Sequence, residues 1–134
     1  MQQIVQTREC EMEAEYDYIV VDDREDQREA IKAILAEGGF ECIGEAADGE
    51  SGADLYFEAL PDFVIMDIDM PGVNGIEGAR MILEDDPDAF IIMASGFGMQ
   101  SKVIEAISLG AADWFMKPYV KETVLEKMRE LTEE

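Results

Sequence analysis

Five short runs rich in apolar residues recur along this chain, and each is followed by a segment with helical periodicity. That fivefold alternation constrains the fold more than any other feature. The runs Tyr18–Val21, Glu41–Ala46, Phe63–Met66, Phe90–Ala94 and Asp113–Met116 read as strands. Helices are predicted near Asp26–Glu37, Glu50–Leu60, Ile76–Asp85 and Ser101–Leu109, with a last one near Lys121–Leu131. Ile31, Ile34 and Leu35 share one helical face, as do Val103, Ala106 and Ile107, and also Val124, Leu125, Met128 and Leu131. Gly38-Gly39 and Gly110 fall where left-handed helix C-caps belong. The first, third and fourth runs are continuously apolar, as strands covered on both faces must be. Repeated βα units therefore predict an α/β fold, a doubly wound five-stranded parallel sheet with helices on both faces and right-handed crossovers.

A chain of 134 residues suits one such domain. Residues 1–15 are polar, rich in Glu and Gln, and without a sustained period, so a flexible N-terminal extension is expected there. The domain then occupies residues 16–134. No apolar run approaches the length of a membrane span, and no basic region followed by an apolar one opens the chain, so a cytoplasmic protein without membrane insertion is expected. Cys10 and Cys42 are too few for a disulfide framework, and the absence of histidine argues against a zinc site. The net charge of −22 excludes direct binding to bare nucleic acid over most of the surface and favours cations and basic proteins.

Chemistry-bearing residues sit at the ends of the runs: Asp22-Asp23, Asp67 with Asp69, Ser95, and Lys117-Pro118. In a parallel sheet these ends lie along one edge, where open α/β sheets hold their ligands. Each residue taken singly has a bland explanation. Asp22 and Asp23 could cap a helix, Asp67 could open an ordinary turn toward Pro71-Gly72, and Ser95 and Lys117 could be surface residues. Their convergence at one edge outweighs these readings. A carboxylate can attack phosphorus and hold the group as an acyl phosphate, a chemistry that suits Asp67. Two or three carboxylates with a backbone carbonyl suit magnesium, which prefers hard oxygen ligands. The Ser95 hydroxyl and the Lys117 ammonium can serve phosphoryl oxygens. A cis bond at Lys117-Pro118 would turn Lys117 inward.

The combination resembles the receiver domains of two-component systems, from about Asp17 to Glu130. The resemblance implies a flavodoxin-like sheet of order 2-1-3-4-5. It also implies Asp67 as phosphoacceptor, and Asp22, Asp23, Asp67 and the backbone carbonyl of Asp69 around Mg2+. Ser95 is similar to the family's switching hydroxyl and Lys117 to its lysine. The stretches Ile91–Gly96, Val103–Ile107 and Gly110–Asp113 look like the chemotaxis-type, CheY-like branch. A histidine kinase is then the phosphoryl donor. The downstream protein target would meet the face of helix four, strand five and helix five. In that face Trp114 replaces the family's usual Tyr or Phe, and either turns as a switch or packs in the core.

Two alternatives are carried forward. Asp67-Ile68-Asp69 superficially matches the D-x-D of haloacid-dehalogenase-like phosphohydrolases, although that motif normally follows the first strand of a longer chain. A receiver excised from a larger regulator or hybrid kinase is the other, against which the extension and the finished last helix favour a complete protein.

Overall fold

The structure, a computed structural model, describes residues 16–70 and 72–132. The extension expected over residues 1–15 lies outside them. Strands β1 (Tyr16–Val21), β2 (Phe40–Ala46), β3 (Phe63–Asp67), β4 (Ile91–Ser95) and β5 (Asp113–Met116) form one parallel sheet of order β2-β1-β3-β4-β5. Between them run α1 (Glu25–Glu37), α2 (Gly49–Ala59), α3 (Gly75–Asp85) and α4 (Gln100–Leu109), and α5 (Lys121–Thr132) closes the fold.

Side chains alternate across a strand, so each central strand feeds two cores. Tyr18, Val20, Ile65 and Ile92 pack with Ile31 and Leu35 of α1 and with Val124 and Met128 of α5. Ile19, Val21, Met66 and Met93 pack with Ala53 and Tyr56 of α2, Ile82 of α3 and Val103 of α4. Every residue of β3 and β4 is buried, whereas the edge strand β2 alternates between exposed and partly covered positions. The continuous apolar runs and the doubly wound architecture are thus as the sequence predicts.

Local expectations shift by a residue in places. β4 begins at Ile91 rather than Phe90 and takes in Ser95. Gly39 adopts the left-handed region (φ 86°), but Gly38 does not (φ −87°). Leu60, expected to end a helix, is instead the left-handed cap of α2 (φ 49°). Ile107 shares its helical face with Val103 and Ala106 but stands exposed. Tyr56 ties α2 to the end of α3 by donating its hydroxyl to Asp86 at 2.6 Å.

Many basic side chains are already committed to ion pairs, including the Arg28–Glu45–Lys32 group that joins α1 to β2. Much of the −22 charge is therefore left to repel itself. Salt screens such repulsion, so the melting temperature should rise across a sodium chloride series. A flat or falling series would show that the acids are compensated locally.

Candidate functional site

The strand order reverses beside β1, which opens a crevice at the carboxyl ends of β1 and β3. Strand periodicity then chooses what enters it. Asp22 lies two residues beyond Val20, Asp67 two beyond Ile65, and Lys117 two beyond Phe115, all on the α1/α5 side of the sheet. The loops bring their heads together. Lys117 Nζ donates to Asp22 Oδ2 at 2.7 Å and to Asp67 Oδ1 at 3.1 Å. A carboxylate oxygen from each of Asp22, Asp23 and Asp67 lies within 4.8 Å of the others. Asp22 and Asp67 are buried and Asp23 is exposed, so the cluster opens to solvent on one side.

Each member is held from more than one direction. The N–H of Asp22 donates to the Ala46 carbonyl of β2 at 3.0 Å, and its Oδ1 accepts from the N–H of Arg24 at 2.9 Å. The helix-cap reading is thereby corrected: Arg24 is the N-cap of α1 and supplies no side-chain cap, while Asp22 serves the loop and the lysine together. The N–H of Lys117 donates to the Ser95 carbonyl at 2.8 Å, and the Lys117-Pro118 bond is cis. Ser95 ends β4 in register with Met116 and is buried.

Three carboxylates face a single ammonium. Burial pushes the Asp67 carboxyl up to about 6; the Lys117 ammonium opposes that shift, and the charges of Asp22 and Asp23 add to it. Tyr119, just past the cis bond, has its hydroxyl held well above the usual range by burial first and then by Asp22 and Asp67. The excess negative charge and the all-oxygen donor set fit a small hard divalent cation. Asp69 is exposed, and its carboxylate is not among the converging acids in the described residues. That placement does not favour the D-x-D reading.

Glycines at this edge escaped the sequence reading. A Cβ on Gly75, the first residue of α3, would run into the carbonyl oxygen of Asp67. A Cβ on Gly49 would stand 2.5 Å from the Asn74 carbonyl and 2.7 Å from that of Val73. The N–H of Gly49 donates to the same Val73 carbonyl at 2.7 Å, so the loop after β3 rests on the start of α2. The only signal in the sequence was glycine where a side chain would ordinarily be expected.

From Ser95 a groove of about 460 Å³ runs between α4 and β5, lined by Val103, Ile104, Ile107, Trp114 and Met116. Trp114 is not core. The residue is 38% exposed, with Lys127 Nζ 4.7 Å from its ring centroid. Lys127 also donates to the Trp114 carbonyl at 3.0 Å and to Asp113 at 3.1 Å.

Comparison with known proteins agrees with this geometry. A family model described as the response regulator receiver domain matches residues 18–129. The chain is 40% identical over 114 residues to the chemotaxis protein CheY of Thermotoga maritima, covering 85% of this chain and 95% of that one. It is 49% identical over 108 residues to protein CcdB of Bacillus subtilis, covering 81% of this chain and 90% of that one. Among solved structures, the CheX–CheY–BeF3–Mg complex from Borrelia burgdorferi superposes with a TM-score of 0.84 at 29% identity, over 90% of this chain and 92% of the other. The phosphohydrolase alternative is accordingly not favoured. A sheet of order 2-1-3-4-5, an acid pocket at its switch point and relatives that align over most of their length lead to one assignment: the chain belongs to the response regulator receiver family, as a phosphoacceptor homologous to CheY.

Proposed function

We propose that Asp67 takes a phosphoryl group from the phosphohistidine of a histidine kinase. One observation carries the reading: Lys117 bridges the buried carboxylates of Asp22 and Asp67 while Asp23 stands open to solvent beside them. An Asp67 carboxylate oxygen attacks phosphorus, the bond from phosphorus to the imidazole nitrogen breaks, and the released imidazole takes up a proton. Asp22, Asp23 and Asp67, with the backbone carbonyl of Asp69, are the residues that would hold Mg2+. When bound, that ion offsets the carboxylate charge and the charge of the phosphoryl oxygens. Lys117 has donors to spare for a phosphoryl oxygen, and Ser95 offers a hydroxyl to another. Hydrolysis of the acyl phosphate by water at the open side returns the resting state, so the protein is a self-resetting acceptor rather than a multiple-turnover enzyme.

Output runs through protein contact in the cytoplasm. The α4–β5–α5 face exposes Ile104, Ile107, Trp114, Met116 and Val120, an apolar set on a strongly acidic protein. Ser95 and Trp114 line the same groove, which supports a link from phosphoryl group to partner surface. The chemotaxis proteins among the relatives, including CheY of Halobacterium salinarum at 37% identity over 113 residues, support a chemotaxis role.

The test is labelling by a small phosphodonor. With Mg2+ the protein should gain one phosphoryl group, mapped by mass spectrometry of its peptides to Asp67, and a chelator should prevent it. Labelling elsewhere, or labelling indifferent to the chelator, would end the assignment.

A further inference from the structure

The geometry points to Arg28 as a positioning residue for the Asp22–Asp23 limb of the cation site, an inference that rests on the acid cluster being that site. Asp22 lies just beyond the last residue of β1, and among the described residues no backbone N–H of the turns and loops donates to its carbonyl. Arg28, in the second turn of α1, fills that role: its Nη1 donates to the Asp22 carbonyl at 2.7 Å. That carbonyl belongs to the peptide joining Asp22 to Asp23. Fixing its plane fixes ψ of the one and φ of the other, and so the direction in which the exposed Asp23 carboxylate leaves the chain.

The guanidinium is itself held. Its Nε donates to Glu45 Oε1 of β2 at 2.8 Å, and the other Glu45 oxygen accepts from Lys32 Nζ at 2.7 Å. Arg28 is 18% exposed in its side chain and Glu45 34%, so the fork is partly shielded rather than solvent-borne. A planar guanidinium can meet a carboxylate with one nitrogen and a carbonyl with another at fixed separation, which a lysine ammonium cannot reproduce. The line Lys32–Glu45–Arg28–Asp22 carbonyl thus straps the acidic loop to the edge strand. Partners that orient a metal ligand from outside typically change metal affinity by about 10–100-fold when removed.

Charge and position predict opposite signs here, which makes the inference decidable. A guanidinium bonded to the Asp22 carbonyl places positive charge beside the acidic loop and repels a divalent cation, so a residue acting by charge alone would, once removed, leave Mg2+ bound more tightly. A positioning residue, once removed, leaves it bound more weakly. Mg2+ should be titrated calorimetrically into the full chain at fixed ionic strength, with metal-free melting followed in parallel. Arg28→Ala is expected to weaken binding by about tenfold. Arg28→Lys, which keeps the charge, should weaken it comparably. A strap that serves only stability would lower the metal-free melting temperature and leave Mg2+ affinity at the wild-type value. Unchanged or tighter binding in Arg28→Ala overturns the role. If that variant does not fold, Arg28→Lys, which holds the charge constant, decides by the same criterion. Wild-type protein that binds no Mg2+ would instead overturn the cation site itself, and this inference with it.

Discussion

Asp67→Asn is expected to abolish phosphoryl labelling and, in the absence of metal, to make the protein more stable at neutral pH. The two effects share a cause. Asp67 is 5% exposed, and burial holds its carboxyl at about 6 against an ordinary 3.8. The folded state therefore binds this proton more tightly than the unfolded chain does. Stability from this group is fully present below about pH 4 and is lost as pH rises through about 6. At pH 7.5 the ionised carboxylate costs the fold about 3 kcal/mol, which the neutral amide removes. Lys117 is not orphaned by the change, because it keeps its 2.7 Å contact with Asp22. A rise of roughly 5–10 °C in metal-free melting temperature should follow at pH 7.5, shrinking toward zero by pH 4. Saturating Mg2+ should narrow the gap by stabilising wild type more than the variant. A variant no more stable than wild type at pH 7.5 would mean that Lys117 and solvent already satisfy the carboxylate.

Gly75→Ala should be the most disruptive single methyl in the described residues near the site. Its Cβ meets the Asp67 carbonyl oxygen, with the Asp67 carbonyl carbon at 2.7 Å and the Ile68 Cα at 3.0 Å. All three are backbone atoms, so no side-chain rotation relieves the clash. The N–H of Gly75 also donates to the Ile68 carbonyl at 3.1 Å, which pins α3 to this loop. Relief requires moving either the start of α3 or the backbone that carries Asp67. Overpacking of this kind costs about 3 kcal/mol, and labelling of Asp67 should fall at least tenfold, since displacing a reacting group by about 1 Å costs on the order of 100-fold. Gly96→Ala is the matched control. A Cβ there meets nothing within 4 Å, so its stability should stay within about 0.5 kcal/mol of wild type. Equal behaviour of the two variants would show that the loop after β3 yields freely.

The tie between Gly75 and Asp67 also shows where sequence reading stops. Strands, helices and the doubly wound class were legible in the chain itself, because period-2 and period-3.6 burial are local properties. The site was legible for a related reason: in a parallel sheet, position at the end of a strand already places Asp22, Asp67, Ser95 and Lys117 at one edge. Strand boundaries were less secure, since a one-residue shift such as that of β4 is set by its pairing with β3 and β5, not by its own composition.

What tertiary structure alone decided are contacts between segments distant in sequence. The Trp114 ring rests over Lys127 of α5 on the outside of the sheet, a position that no feature of the Asp113–Met116 run discloses. Ile107 obeys the helical period of α4 yet faces solvent, because the groove beside β5 leaves its side uncovered. Arg28 reads as an ordinary helix-surface charge until β2 brings Glu45 beside it and the turn after β1 offers a free carbonyl. Periodicity determines which face of an element seeks cover. Which partner supplies that cover depends on crossings between elements, and those exist only once the chain has folded.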